Sequence, residues 1–244
     1  MIVEYDGTDF VGWQSQKNGI GIQDEFERVF KQITGTRPLL RAAGRTDAGV
    51  HARAQNVSFK TTSKLSIKRL NAGLNALLPK TISVHRIDEM PLDFDAKRHS
   101  LYKLYRYTIY KAPYAAAQLA RYAWHIIDTL DVEAMKQAAA QLVGTHDFES
   151  FRSAQCQAAH ARRHLFSIEI KQEPRLPGGS LLHITYRGDA FVRHMCRILT
   201  GTLVEMGRHQ RDPNSIPEIL AARSRKEAGA TAPPQGLCLL EVGY

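Results

Sequence analysis

The sequence has little that would support a disulfide framework, a metal centre or a membrane span. Its 244 residues include three cysteines, Cys156, Cys196 and Cys238, which are far apart and form no C-x-x-C pair. That odd, scattered set argues against disulfides and against a zinc site built on cysteines. The histidines include no H-E-x-x-H pair, no apolar run approaches the roughly 18 residues of a membrane span, and no stretch reads as a signal peptide. These absences predict a cytoplasmic protein with no metal and no membrane partner.

The composition that remains is that of a basic globular protein. Hydrophobic residues make up 43% of the chain and charged residues 23%, and the formal net charge is +9. An excess of positive charge favours a polyanionic partner, with nucleic acid the first candidate. Because the Lys and Arg residues are spread along the chain rather than massed in a tail, charge alone leaves an ordinary basic protein open.

One stretch, G-R-T-D-A-G-V-H-A at residues 44–52, concentrates reactive side chains between two predicted strands. Gly44 and Gly49 allow a positive φ or a close approach of the backbone to a ligand. Between them stand Arg45 and Asp47, and His51 follows. The alternative is a solvated hairpin loop, but the stretch is longer than the roughly two to five residues that a hairpin loop needs. Asp47 is therefore the candidate for a functional carboxylate.

The first part of the chain, residues 1–95, reads as strand, helix, strand, strand, helix, strand. Apolar residues at helical spacing run from Ile22 to Ile33, and Gly35 ends that helix. Ser66 caps a second helix that ends before Pro79. The predicted strands cover residues 2–5, 37–42, 57–60 and 82–88. The first strand starts at the first residue, which suggests that the true start lies upstream.

The second part, residues 96–244, repeats that order without a residue-level repeat. It predicts strands at 99–111, 166–171, 182–186 and 237–242, a helix capped by Asp131 and a helix at about 191–205. Ser215 and Glu218 form a capping-box pattern for a short extra helix. The fold class expected is α+β: two ferredoxin-like (βαββαβ) halves joined into one mainly antiparallel sheet, with helices packed on one face. An active-site cleft is expected between the halves.

The second half offers partners for a carboxylate and for a base. Arg193 and Arg197 are four residues apart, which predicts one face of a helix, and pairing with a carboxylate or phosphate would offset their repulsion. Tyr105 and Tyr107 share a face of the long predicted strand. A solvated basic face and half-buried sheet tyrosines are the alternatives that spacing alone leaves open.

Several of these segments together resemble the TruA family of tRNA pseudouridine synthases. The 44–52 stretch is similar to the signature loop of that family, in which the Asp is catalytic. Further similarities are G-W-Q-x-Q at 12–16, K-L-Y-R-Y at 103–107, the Phe148 to Phe151 region, H-M-C-R-I-L-T-G at 194–201 and A-P-P-Q-G-L at 232–237. The resemblance implies that Asp47 is catalytic, that Tyr105 stacks on the target uracil, and that Arg197 pairs with Asp47 and keeps it anionic.

The activity that the resemblance implies is isomerisation of uridine to pseudouridine at positions 38, 39 and 40 of the tRNA anticodon stem-loop. It implies no cofactor, and a homodimer in which one tRNA touches both subunits. A base stacked in RNA must be flipped out to reach a carboxylate. Arg45 is placed to enter the vacated stack, because a guanidinium can mimic a base plane. The basic stretches 97–99 and 152–164 are the candidates for contacts to tRNA phosphates.

Two other functions fit parts of the sequence. A non-catalytic RNA-binding protein could be built from two ferredoxin-like units, but the K/R-G-F-G-F-V strand motif of RRM domains is absent and Asp47 would have no role. A glycoside hydrolase would need two carboxylates flanking the scissile bond, and the 44–52 stretch supplies one.

Overall fold

The computed structural model describes residues 1–244 and shows a mixed α+β protein with ten strands and five α-helices. The helices are α1 (Ile22–Thr34), α2 (Ile67–Leu77), α3 (Val132–Ala140), α4 (Met195–Gly207) and α5 (Ile216–Ala222). The strands are β1 (Ile2–Tyr5), β2 (Arg41–Ala42), β3 (His51–Ser58), β4 (Ile82–Arg86), β5 (Tyr102–Lys111), β6 (Trp124–Ile126), β7 (Gly144–Asp147), β8 (Arg162–Pro174), β9 (Ser180–Gly188) and β10 (Leu237–Gly243). Most strand pairs are antiparallel, so the predicted α+β, mainly antiparallel class is confirmed. None of the helices is long and apolar enough to cross a membrane.

The chain folds into two compact units. The N-terminal unit contains residues 1–101 together with 238–244, and the C-terminal unit contains residues 102–237. The boundary expected from the sequence lay between residues 95 and 96. Residues 96–101 and most of the closing strand β10 therefore group with the N-terminal unit.

The N-terminal unit is organised around β3. One edge of β3 pairs with β1, which in turn pairs with β4, and both pairings are antiparallel. Its other edge is shared: β2 pairs with the end near Ser58, and β10 runs parallel to the beginning, with Cys238 opposite His51. Since β3 begins at His51, the stretch predicted to be functional leads directly into the central strand of this unit.

The helices of the N-terminal unit begin and end where the sequence predicted. Gly35 takes a left-handed conformation (φ 75°) and ends α1 with a hydrogen bond from its N–H to the carbonyl of Lys31. The hydroxyl of Ser66 accepts from the N–H of Arg69 and caps α2. Ile22, Phe26, Val29 and Phe30 on the apolar face of α1 are fully buried, and the helix packs against α2, which packs against β4.

The C-terminal unit carries the strand order β5-β9-β8-β7, with β6 parallel to the end of β5. Alternate residues of β5 are buried, including Tyr105, Tyr107 and Ile109. Helix α4 packs against β5 and α3 against β8. The carboxylate of Asp131 accepts from the N–H of Ala134, so the predicted cap of α3 is confirmed.

Some boundaries predicted for the strands and helices were wrong. Residues 37–40 are not in a strand, and the segment 144–164, for which no periodicity was found, contains β7 and the beginning of β8. Helix α4 begins at Met195 because His194 before it takes a left-handed conformation (φ 65°). Ser215 precedes α5 without capping it, and its hydroxyl instead donates to the carbonyl of Asp212.

Candidate active site

The connection between β2 and β3, residues 43–50, is called here the Asp47 loop. It is held along its length by the segment 10–13, which follows β1. The N–H of Trp13 donates to the carbonyl of Thr46 at 3.1 Å, and the N–H of Gly49 donates to the carbonyl of Phe10 at 3.3 Å. Gly12 forms an isolated antiparallel bridge with Asp47 itself. The backbone of the loop is therefore paired like a short strand rather than left to solvent.

Only glycine fits where these two segments touch. Gly12 has a φ of 103°, and a Cβ on it would lie 2.5 Å from the carbonyl oxygen of Thr46 and 3.0 Å from the carbonyl carbon of Asp47. Gly7, in the turn after β1, is as tightly placed, since a Cβ there would lie 2.0 Å from the carbonyl oxygen of Val50. Both contacts fix the loop through its backbone.

Buried polar side chains hold the first half of the loop from beneath. Gln55, a fully buried residue of β3, donates from its amide to the carbonyl of Gly44 at 2.6 Å and to the hydroxyl of Tyr5 at 3.4 Å. Its amide oxygen accepts from the N–H of Gly44. The hydroxyls of Tyr5 and Thr46 share a hydrogen bond of 2.8 Å. Burial raises the pKa of Tyr5, so its hydroxyl remains protonated at neutral pH.

The predicted functional residues of the loop, Arg45 and Asp47, are separated by a single residue, Thr46. Arg45 is exposed and Asp47 is partly buried, whereas Thr46 between them is buried. Thr46 points into the protein, where its hydroxyl meets that of Tyr5. An exposed cation and a carboxylate partly shielded from water therefore flank a residue that is anchored to the core.

The end of the loop is fixed by His51, which is buried at the beginning of β3. Its Nδ1 atom accepts from the N–H of Gly7 at 3.1 Å, and the carboxylate of Asp6 lies 3.2 Å from the same nitrogen. Trp13 is also a buried residue, with its ring between those of Tyr5 and Phe26. The indole of Trp13 is therefore part of the core beneath the Asp47 loop and supports that loop.

Tyr105, the predicted stacking residue, lies in the C-terminal unit on β5. It is 6% exposed, faces Tyr186 across the strand pair, and meets the ring of Phe191 edge to face at 5.2 Å. Its neighbour Tyr107 is fully buried and donates from its hydroxyl to the carbonyl of Pro233. The two tyrosines that share a strand face therefore differ in surroundings, since the hydroxyl of Tyr107 is hydrogen-bonded to the segment before β10.

Arg197 lies in the first turn of α4, in the C-terminal unit. Its Nε donates to the carbonyl of Ala232 at 2.8 Å, and the N–H of Ala232 donates back to the carbonyl of Arg197 at 3.1 Å. Burial raises the pKa of Tyr107, and the positive charge of Arg197 opposes that rise. The expectation that Arg193 shares a helix face with Arg197 was wrong, because Arg193 precedes the helix and donates to Gln155.

Lys97 and Arg98 in the first basic stretch are exposed, whereas Arg152 in the second is partly buried, and both stretches are bonded to the fold. The backbone N–H groups of Lys97 and Arg98 donate to the carboxylate of Asp95. Arg152 forms an ion pair of 2.7 Å with Glu149 and donates to the carbonyl of Ala158. No group of three or more His, Cys, Asp or Glu side chains is arranged to hold a metal ion.

Tyr5, Gln55 and Gly12 were not predicted from the sequence to be determinants of the loop. A signal for Gln55 was present, because it stands two residues before the buried Val57 and therefore occupies an inward position of β3. A polar side chain at such a position usually has a hydrogen-bonding partner in the core. Gly12 belongs to the G-W-Q-x-Q segment noted in the sequence, but its contact with the loop could not be predicted because the two are distant in sequence.

Comparison with known proteins gives consistent matches along the whole chain. Residues 1–97 and 138–244 match the model of a family described as tRNA pseudouridine synthase. A protein of Syntrophotalea carbinolica named tRNA pseudouridine synthase A is 43% identical over 244 residues, which are 100% of this chain and 95% of that protein. Proteins of the same name from Geotalea uraniireducens and Moorella thermoacetica are 41% and 44% identical, and in both cases the match covers 100% of this chain and 98% of the relative.

Proposed function

The chain belongs to the tRNA pseudouridine synthase family, and on that premise we propose how its residues carry out the reaction. Enzymes of this family are isomerases that convert uridine to pseudouridine in tRNA. The N1–C1′ bond of uridine breaks and C5 bonds to C1′, while the C5 proton leaves to solvent and N1 takes up a proton. The enzyme must therefore detach the base, hold it while it turns, and accept a proton.

Asp47 is the proposed catalytic residue, acting as the nucleophile or the base. The observation that supports this role is the rigidity of the Asp47 loop: its backbone is bridged to Gly12, and both neighbours of Arg45 are anchored to buried side chains. A carboxylate held in one place reacts with a positioned substrate much faster than a mobile one. Partial burial of Asp47 also strengthens its interactions with charge that develops in the transition state.

Arg45 is proposed to occupy the space that the flipped base leaves. It is exposed, and its backbone lies between the two anchored residues Gly44 and Thr46. A guanidinium can stack on neighbouring bases and offset part of the cost of unstacking the target, which is about a few kcal/mol. Because Arg45 is two residues from Asp47 in the same anchored loop, insertion of Arg45 and capture of the flipped base would be coupled.

Tyr105 and Arg197 are proposed to act on the base and on the carboxylate, respectively. Stacking of uracil on the Tyr105 ring would contribute about 1–3 kcal/mol. Arg197 would keep the catalytic carboxylate ionised, and the bond from its Nε to the carbonyl of Ala232 orients the guanidinium. A variant Arg197→Met should then shift the pH dependence of turnover to higher pH, because the carboxylate would lose a favourable charge.

The substrate positions proposed are uridines 38, 39 and 40 of the tRNA anticodon stem-loop, modified in the cytoplasm by a homodimer. The excess of positive charge supports the choice of tRNA as a polyanionic partner. Light scattering of the purified protein would measure the oligomeric state. Mapping of pseudouridine in tRNA transcripts with single uridines at these positions would test the specificity.

The decisive experiment uses unmodified tRNA that carries tritium at C5 of its uridines. Formation of the C5–C1′ bond expels that tritium into water, so its release measures the reaction directly. We expect release by the parent protein and none by Asp47→Asn, which keeps the size of the side chain but removes its charge. Asp93→Asn is the matched control, because Asp93 is an exposed carboxylate of the same unit outside the Asp47 loop.

The possible results separate the alternatives. Release of tritium by both Asp47→Asn and Asp93→Asn would support the proposed activity but exclude Asp47 as the catalytic residue. An absence of release from the parent protein, together with salt-sensitive binding of tRNA, would instead indicate an RNA-binding protein without this activity.

A further inference from the structure

Two side chains beneath the Asp47 loop, Tyr5 and Gln55, form hydrogen bonds to the residues on either side of Arg45. Gln55 holds Gly44 through both groups of its amide, and Tyr5 holds the side chain of Thr46. Gln55 also donates to Tyr5, so that the anchors form a single network. All of these polar atoms come from buried or partly buried positions.

We propose that Tyr5 and Gln55 are positioning residues that aim Arg45 and Asp47 at the substrate. The inference rests on the proposed role of Asp47 in the reaction. Gly44 and Thr46 flank Arg45, and Thr46 directly precedes Asp47, so anchoring of these two residues restricts the backbone from which both functional side chains project. The network therefore acts on Arg45 and Asp47 through the backbone of the loop.

Folding alone does not account for this network. Replacing both partners of a buried hydrogen bond by apolar groups of the same shape is often nearly neutral for stability. A phenylalanine and a valine would fill the space of Tyr5 and Thr46 equally well. What the hydroxyl pair adds is a directional bond of 2.8 Å, which restricts how the loop lies on β1.

The test deletes the hydroxyl pair without changing shape, in the variants Tyr5→Phe, Thr46→Val and the double variant. The rate constant is measured in a single turnover with enzyme in excess over tRNA, so that it does not depend on the fraction of active protein. The dissociation constant for tRNA and the midpoint of thermal unfolding are measured on the same samples. We expect each single variant to slow turnover about tenfold to a hundredfold, as misplacement of a reacting group does.

Affinity for tRNA should change less than about threefold, because phosphate contacts dominate binding. The double variant should be no slower than the slower single variant, because both substitutions remove the same hydrogen bond. Thr46→Ser keeps the hydroxyl and should therefore turn over at the parent rate. Tyr244→Phe is the matched control, since it removes a phenol that donates to the carbonyl of Ala96 elsewhere in this unit, and it should leave the rate unchanged.

The inference is overturned if Tyr5→Phe and Thr46→Val turn over at the parent rate, or if their effects on the rate simply multiply. The experiment includes Asp47→Asn so that the two proposals fail separately. An inactive Asp47→Asn with fully active network variants would refute the positioning role alone. An active Asp47→Asn would refute the catalytic role on which that inference rests.

Discussion

Substitution of Gly12 by alanine should inactivate the enzyme through displacement of the Asp47 loop. The new Cβ would lie 2.5 Å from the carbonyl oxygen of Thr46, whereas ordinary contacts begin at 3.4 Å. The two segments must therefore separate by about 0.9 Å, the difference between those distances. A shift of about 1 Å at a reacting group can cost a hundredfold in rate. The positive φ of Gly12 adds a backbone strain of about 1–2 kcal/mol.

Gly35→Ala separates displacement from strain. Gly35 also has a positive φ, of 75°, but a Cβ on it would meet no atom within 4 Å. Both variants should lose roughly 1 kcal/mol or more of stability in urea unfolding, as replacement of a glycine at positive φ does. Only Gly12→Ala should lose single-turnover activity. Equal activity of the two variants would refute the argument that the contact between Gly12 and Thr46 sets the position of Asp47.

Three further predictions concern Arg45 of the Asp47 loop, a glycine of α4 and a carboxylate that follows β4. Arg45→Ala should slow turnover on tRNA by about tenfold, because the vacated stack is no longer filled, and the loss should be smaller on a short RNA whose target uridine is unpaired. Gly201→Ala should destabilise the C-terminal unit by about 2–3 kcal/mol in urea unfolding, because its Cβ would lie 1.7 Å from the carbonyl oxygen of Ala230. Burial opposes ionisation of Asp95, but hydrogen bonds from two backbone N–H groups and from Arg41 outweigh it and lower its pKa. Its contribution to stability should therefore be present above about pH 4 and be lost as the pH falls through the lower pKa of the folded state, a dependence that Asp95→Asn should flatten.

Each of these predictions has a result that contradicts it. Arg53→Ala removes an exposed charge from β3 near the loop. If this variant loses as much rate as Arg45→Ala, the effect of Arg45 comes from its charge in general and not from filling the vacated stack. If Gly201→Ala is as stable as the parent protein, the segment at Ala230 must be able to move away from α4 without loss of stability. Identical acid unfolding of the parent protein and Asp95→Asn would exclude a lowered pKa at that carboxylate.

Local patterns predicted the helices whose ends are set by their own residues. Gly35, Ser66 and Asp131 end or cap their helices through contacts within a few positions, and all three were predicted correctly. The start of α4 was misplaced because apolar spacing continues through Phe191, whereas the left-handed conformation of His194 interrupts the helix. Periodicity contains no information about a single residue with positive φ.

The Asp47 loop was predicted to be functional from its residue types, but the contacts that anchor it were not predicted. Asp47 and Arg45 stood out because an acid and a cation are close together between two glycines. The supports of the loop come from Tyr5 and Gly12, more than 30 residues away, and from Gln55 on the following strand. Their contacts depend on how β1 pairs with β3, and a single sequence does not reveal that register.

The pairing of β10 with β3 has a consequence for the synthesis of the protein. Cys238 lies opposite His51, so the residue that directly follows the Asp47 loop pairs with a strand neighbour 187 positions later in the chain. While the ribosome is still translating the C-terminal unit, that edge of β3 has no partner from β10 and exposes its backbone groups. The support of the Asp47 loop is therefore completed only when the final strand emerges, and a nascent chain that lacks this strand carries the loop without its full scaffold.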